Sequence, residues 1–260
     1  MAIVVLTSCG GAPGVTTLAV GLALTWPRPV LLADCDPGAH QAVLAGYLAG
    51  RSAGGKGLLR VAEAHRDGRP LREVVLDQCL PLTDQHGVRR LFLPGFTRPR
   101  SATHFAGVWG GLAEAFEQLA EVEMDVIVDL GRICVPGPPV ALLERSALTA
   151  VVLGSGLRAV MSARVHLPDL TGTAAATMTR GGTGLILVDE GRPYRAGEIS
   201  KALGVPVVAQ VPRDPEAAAH FSDGAARHRR FESSPLVRGV RAAASTLAGA
   251  LQRSSDLVRS

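Results

Sequence analysis

Short runs of consecutive apolar residues alternate along the chain with longer stretches whose apolar positions recur every three or four residues. The runs at 2–7, 29–33, 90–93, 125–129, 149–153, 184–188 and 205–211 are mostly Val, Ile and Leu without polar alternation. Such runs suit strands of a parallel sheet covered on both faces, because neither face of such a strand meets water. Helical spacing occupies 15–26, 39–48, 57–65, 103–122, 157–167, 195–203, 215–221 and 235–251 between them. Strand and helix alternating over the whole length predict a three-layer, doubly wound α/β fold with a mainly parallel sheet. No linker interrupts the alternation, so residues 1–260 read as a single domain. The last helix, 235–251, is expected to pack on the sheet through Leu236, Val240, Ala243, Ala244, Leu247 and Leu251.

Two segments carry no clear period. The glycine-rich stretch 50–57 reads as a surface loop. The stretch 224–234 gathers Arg227, Arg229 and Arg230 around His228 and Phe231. A solvated basic loop is the plain reading, and non-specific contact with DNA or phospholipid is the sharper one.

Composition narrows the class. Of 260 residues 47% are apolar and 19% charged, a balance that can bury a core and is foreign to disordered chains. No uncharged apolar run approaches the ~18 residues of a membrane span, and the first residues lack a basic leader. A cytoplasmic location is therefore expected, with recruitment to membrane or nucleoid left to a partner. Cys9, Cys35, Cys79 and Cys134 are scattered without a C-x-x-C, which argues for free thiols and against a zinc site. Trp26 and Trp109 are expected in the core. The formal net charge is +4, and only Lys56 and Lys201 are lysines, against 25 arginines.

That scarcity acquires meaning at the end of the first strand. Residues 8–17 read Ser-Cys-Gly-Gly-Ala-Pro-Gly-Val-Thr-Thr and run into an apolar helix. A glycine-rich turn between strand and helix aims backbone N–H groups into a concavity above a helix N-terminus, the geometry of a phosphate cradle. Measured against G-x-x-x-x-G-K-[ST], Gly14-Val15-Thr16 puts a hydroxyl at the Mg²⁺ position and valine at the lysine position. The missing charge-assisted contact is worth ~1.5 to 3 kcal/mol in binding. The second strand leads into Asp34-Cys35-Asp36-Pro37-Gly38, and a later one is Met124 through Asp129 followed by Leu130-Gly131-Arg132. Carboxylates at such strand ends stand where open α/β sheets bind ligands, and one at the end of an apolar strand can hold Mg²⁺.

Taken in order, these segments resemble the ParA/MinD family of deviant-Walker ATPases, of the SIMIBI type of P-loop NTPase fold. Gly10 to Thr17 is similar to the family's K-G-G-x-G-K-T-T, Asp34 to Gly38 to its D-x-D-P-Q, and Asp129 to Arg132 to its D-x-P-P. Arg90 to Gly95, Leu187 to Asp189, Leu203 to Val207 and Val211 to Asp214 resemble further strand ends of the family. The resemblance implies ATP or ADP with Mg²⁺ as ligand. It implies a nucleotide-contacting set of Gly10, Gly11, Ala12, Pro13, Gly14, Val15, Thr16, Thr17, Asp189 and Pro212, with Thr16, Asp36 and Asp129 around the metal and Asp36 linked to hydrolysis. It also implies a homodimer formed through the nucleotide face, and protein partners in machinery that positions chromosomes, division sites or pilus and secretion complexes. Both family lysines are replaced, by Gly10 and Val15, and Asp189 stands for the usual adenine-reading asparagine. A degenerate site follows, of a pseudo-ATPase or very slow ATPase, with the eroded loops of TadZ/CpaE-like members as an analogy. Two readings remain beside it: an active partition ATPase in which an arginine replaces the lysines, and a nucleotide-free interaction scaffold.

Overall fold

The computed structural model describes residues 2–10, 14–84, 87–133, 139–171, 182–188 and 193–259. Its strands are β1 (Ile3–Ser8), β2 (Val30–Asp34), β3 (Leu80–Pro81), β4 (Arg90–Leu93), β5 (Asp125–Arg132), β6 (Leu148–Gly154), β7 (Thr183–Val188) and β8 (Val207–Val211). They form one sheet in the order β3-β4-β2-β5-β1-β6-β7-β8. All neighbours pair in parallel except β3, which runs antiparallel to β4 at the edge. Parallel pairing demands crossovers, and the helices that make them cover both faces. The fold is the three-layer, doubly wound α/β arrangement that the periodicity predicts.

The helices are α1 (Val15–Thr25), α2 (Leu58–Arg66), α3 (Leu71–Asp77), α4 (Pro99–Thr103), α5 (Trp109–Gln118), α6 (Val140–Glu144), α7 (Leu157–Thr171), α8 (Ala196–Leu203), α9 (Pro215–Asp223) and α10 (Pro235–Arg259), with a π-helical turn at Val43–Tyr47. One core layer joins odd positions of β1, such as Ile3 and Val5, to α2, α3, α5, α6, α7 and α8. The other joins Val4 and Leu6 to α1, α9 and α10. Period-two alternation within a continuous apolar strand thus feeds two separate cores. The expected stripe on α10 is entirely buried, and α10 covers α1 and β8. Among the described residues no helix is long and apolar enough to cross a membrane.

Two helical expectations differ. The stretch 39–48 is helical only from its middle, because Ala39 and Gln41 take left-handed backbone conformations (φ 55° and 53°). The stretch 103–122 is broken: Phe105 is buried against Phe96 and Trp109 in edge-on aromatic contacts, and α5 starts only at Trp109. Glycines 107, 110 and 111 weaken a continuous helix there. Helices α3 and α6 and the two-residue strand β3 carry too little periodic pattern to read from sequence. Cys9, Cys35 and Cys79 are free and buried, while Cys134 lies outside the described residues. Loop 224–234 is anchored by buried Phe231. There Arg227 is engaged with that ring (5.2 Å), with His220 (3.2 Å) and with Glu232 (3.2 Å), while Arg229 and Arg230 are exposed.

Candidate functional site

The site lies where the carboxyl ends of β1, β2 and β5 meet, near the middle of the sheet where strand order reverses. Strand β1 ends at Ser8, whose hydroxyl is buried with no hydrogen-bond partner among the described residues. Beyond it, Ser162 of α7 donates to the Cys9 carbonyl (2.7 Å), and a Cβ on Gly10 would stand 2.6 Å from the Ser162 hydroxyl. Gly14 precedes α1 in the left-handed conformation (φ 66°, ψ 62°), and no side chain caps the helix. Its first backbone N–H groups therefore remain for a ligand or water. Gly11, Ala12 and Pro13 lie outside the described residues. Val15 is 5% exposed and packs in the α1-side core, so an apolar group fills the place from which a lysine would reach phosphate.

Thr16 and Asp129 are brought together: the Thr16 hydroxyl hydrogen-bonds the Asp129 carboxylate, which also accepts the Gly131 N–H (2.8 Å). Asp36 stands beside them. One of its oxygens accepts the Gly38 N–H (2.8 Å) and the other faces His40 Nδ1 (3.0 Å). A Cβ on Gly131, which has φ +59°, would come within 2.5 Å of the Asp36 carboxyl carbon. Glycine at that position lets β5 press against Asp36. Gly95 does the same for Asp34, where a Cβ would meet the carboxyl carbon at 2.5 Å.

Three carboxylates thus share one buried end of the sheet. Burial, then the Asp129 charge, push Asp34 up to about 8, against a smaller lowering by the Asp36 N–H. Asp129 is pushed up to about 6 by burial, opposed by the Thr16 hydroxyl and the Gly131 N–H. Burial, with Asp34 next, raises the Cys35 thiol well above its usual range. Among the described residues no arginine or lysine pairs with these acids, so the cluster lacks a cation. No described group of three or more His, Cys, Asp or Glu is arranged to hold a metal. Mg²⁺, however, commonly takes one or two protein oxygens with water and phosphate completing its shell. The Thr16–Asp129 pair fits that role, with Asp36 adjacent.

A cleft of about 580 Å³ opens beside the loop, lined by Gly14, Thr17 and Leu18, the ends of β6, β7 and β8, the turn 213–215, and α9 and α10. Its wall is mostly apolar, through Val188, Val211, Phe221, Leu236 and Val240, with Arg213, Asp214 and Asp223 as charged members. A flat apolar ring continuing into an anionic group suits that lining. Uncapped helix, orphaned Ser8 hydroxyl, hydroxyl–carboxylate pair and cleft together fit a nucleotide. Pro212 is not among the lining residues; its ring instead approaches Gly239, where a Cβ would stand 2.6 Å away. Asp189 lies outside the described residues. His40, Ser8 and Arg213 were not expected at the site; Asp34 was, as the first carboxylate of the D-x-D pair at the end of the second strand.

No family model matches the chain, and a search of the curated proteins gives no match. Solved structures do match in fold. A ParA family ATPase from Chlorobium tepidum superposes with TM-score 0.71 at 16% identity, covering 94% of this chain and 98% of that one. The cell division protein MinD of Aquifex aeolicus gives 0.70 at 18%, covering 96% and 98%. The septum site-determining protein MinD of Pyrococcus horikoshii, complexed with Mg-ADP, gives 0.67 at 19%, covering 96% and 98%. At these identities the likeness is one of fold, and the fold is that of ParA/MinD-type P-loop NTPases.

Proposed function

We propose that this chain is a ParA/MinD-like positioning or assembly factor that binds an adenine nucleotide with Mg²⁺ and hydrolyses it very slowly or not at all. The observation that carries the reading is a division within one loop: Gly14, Thr16 and the adjoining cleft retain the features of a nucleotide cradle, while Val15 is buried in the apolar core. Hydrolysis needs stabilisation of charge developing on the transferred phosphoryl group, and removing one such donor typically lowers rate ~10²-fold or more. Valine supplies no such donor. Asp36 is the residue linked to whatever turnover remains, and Thr16, Asp36 and Asp129 are the metal-side groups.

The likeness to a ParA family ATPase, to a cell division protein and to a septum site-determining protein supports a positioning role. A dimer or partner contact beside the loop is supported by α7, whose Leu157, Met161 and Val165 are 57%, 48% and 68% exposed at four-residue spacing. Which machinery is positioned, pilus assembly among the choices, rests on analogy. The loop arginines are a weaker route to DNA, since Arg227 is already engaged within the fold.

Thermal unfolding with and without Mg·ATP tests binding. Ligand at ~100 Kd adds ~2.7 kcal/mol, and no shift at millimolar nucleotide returns the scaffold reading. Phosphate release tests the rest: fast turnover that collapses in Asp36→Ala would establish an active ATPase instead.

A further inference from the structure

The triphosphate of a bound nucleotide brings several negative charges to a place where three carboxylates already sit, and neither Gly10 nor Val15 supplies a counter-charge. Strand β5 continues beyond Asp129 through the left-handed Gly131 to Arg132, which pairs in register with Ser8 of β1. The neighbouring Ile133 N–H donates to the Ser8 carbonyl (2.8 Å), fixing this end of β5 against the root of the loop. Arg132 is exposed, and among the described residues nothing pairs with its guanidinium. Ser8 beside it keeps its buried, unpartnered hydroxyl. An arginine whose guanidinium has no partner among the described residues thus stands three residues from Asp129 and alongside the strand that leads into the loop. Elsewhere in the molecule arginines near buried carboxylates are consumed by them, as Arg28 is by Asp125 (2.7 Å).

We infer that Arg132 is a phosphate-binding residue, supplying from the end of β5, within the same chain, the positive charge that the loop itself lacks. The inference rests on the nucleotide reading above. A guanidinium offers a planar fork that matches phosphate oxygens and stays charged at all accessible pH. Placed beside the strand end that carries Asp129, it serves the phosphate end of the ligand, whereas Arg213 shares the cleft with Val211, Phe221 and the other apolar lining residues.

The test is equilibrium binding of Mg·ATP, Mg·ADP and adenosine to the wild type, Arg132→Ala, Arg132→Lys and Arg213→Ala, each followed also by its thermal midpoint. Arg132→Ala is expected to weaken Mg·ATP about ten- to a hundred-fold, the loss of one charge-assisted contact, and to leave adenosine unchanged. Arg132→Lys keeps the charge without the fork and falls between. The ligand-free midpoint of each Arg132 variant should match the wild type, because the side chain is exposed and its guanidinium pairs with nothing among the described residues, and this separates a binding loss from misfolding. Equal affinity of Arg132→Ala and wild type for Mg·ATP overturns the inference and leaves the nucleotide reading standing. So does an equal loss for adenosine and Mg·ATP, which is a loss of the cleft rather than of a phosphate contact. No binding of any of the three by the wild type overturns the nucleotide reading, and this inference with it.

Discussion

Strand β5 carries an aspartate near each end, and the two have opposite surroundings. Asp125, at the amino end, accepts hydrogen bonds from the Ala2 N–H (2.9 Å), the Trp26 indole (2.8 Å) and Arg28 Nε (2.8 Å), and Arg28 Nη2 stands 2.7 Å from the same oxygen. Arg28 in turn reaches Gln252 Oε1 (3.2 Å), tying α10 to the start of the sheet. Asp129, at the carboxyl end, is as deeply buried but faces Asp36 and Asp34, and its donors are one hydroxyl and one backbone N–H. A buried charge is tolerated when paired and bonded, as at the first end. The second end buries its carboxylates beside one another, a less favourable state. That is the pattern of a ligand site, where the missing charge is brought by the ligand.

Breaking the satisfied end should have the largest effect. Asp125→Ala leaves the Arg28 guanidinium and the Trp26 N–H without their acceptor and is expected to cost about 3 to 5 kcal/mol, measured by urea unfolding. A loss under about 1 kcal/mol would mean that Asp125 contributes no more than a surface pair and that the contrast is false.

The strained end should show itself through pH. Asp34 and Asp129 are both raised above the usual carboxylate range, so the folded protein binds more protons than the unfolded chain between the two sets of values. Stability from these groups is complete below about pH 4 and is lost as pH rises through about 6 and then about 8. For the ligand-free protein the decline is on the order of a few kcal/mol. Asp34→Asn should flatten the upper part of it. A profile that rises from pH 5 to 8 at this end would contradict the burial argument.

A cation should then reverse part of that decline. At pH 8, Mg²⁺ with ADP at ~100 Kd is expected to restore ~2.7 kcal/mol in thermal unfolding. Asp129→Asn should remove most of the gain, because it withdraws the carboxylate bonded to Thr16. A full gain in that variant would move the metal-side role to Asp36.

Much of this contrast was legible before the fold was known. Continuous apolar runs marked the parallel strands, and Gly14-Val15-Thr16 marked the turn between β1 and α1 at which an apolar Val15 is buried. What escaped reading depends on contacts between distant residues. Nothing in Pro94-Gly95 announces that it presses on Asp34. Nothing in the spacing of 29–33 and 125–129 says that Arg28 closes on Asp125. Pro212, expected at the base, has Gly239 against its ring, and its neighbours Val211 and Arg213 line the cleft. Local pattern reports which residues are buried; which buried acid acquires a partner is settled by register and crossover.

The smallest effect sharpens the comparison most closely. His40 is the one described basic side chain that pairs with the acid cluster, 3.0 Å from Asp36, the only candidate at this end of β5 among the described residues for the part that Arg28 plays at the other. Its own side chain is 72% exposed, so solvent screens the pair, and exposed ion pairs contribute about 0 to 1 kcal/mol. Its effect on Asp129 comes last among the causes there, well behind burial. His40→Ala should therefore cost less than about 1 kcal/mol at pH 6 and leave the decline between pH 4 and 8 in place. A cost near that of Asp125→Ala, or a flattened profile, would show that the cluster already owns its counter-charge. The two ends of the strand would then be alike, and the case for a charge supplied by ligand or metal would fall with the difference between them.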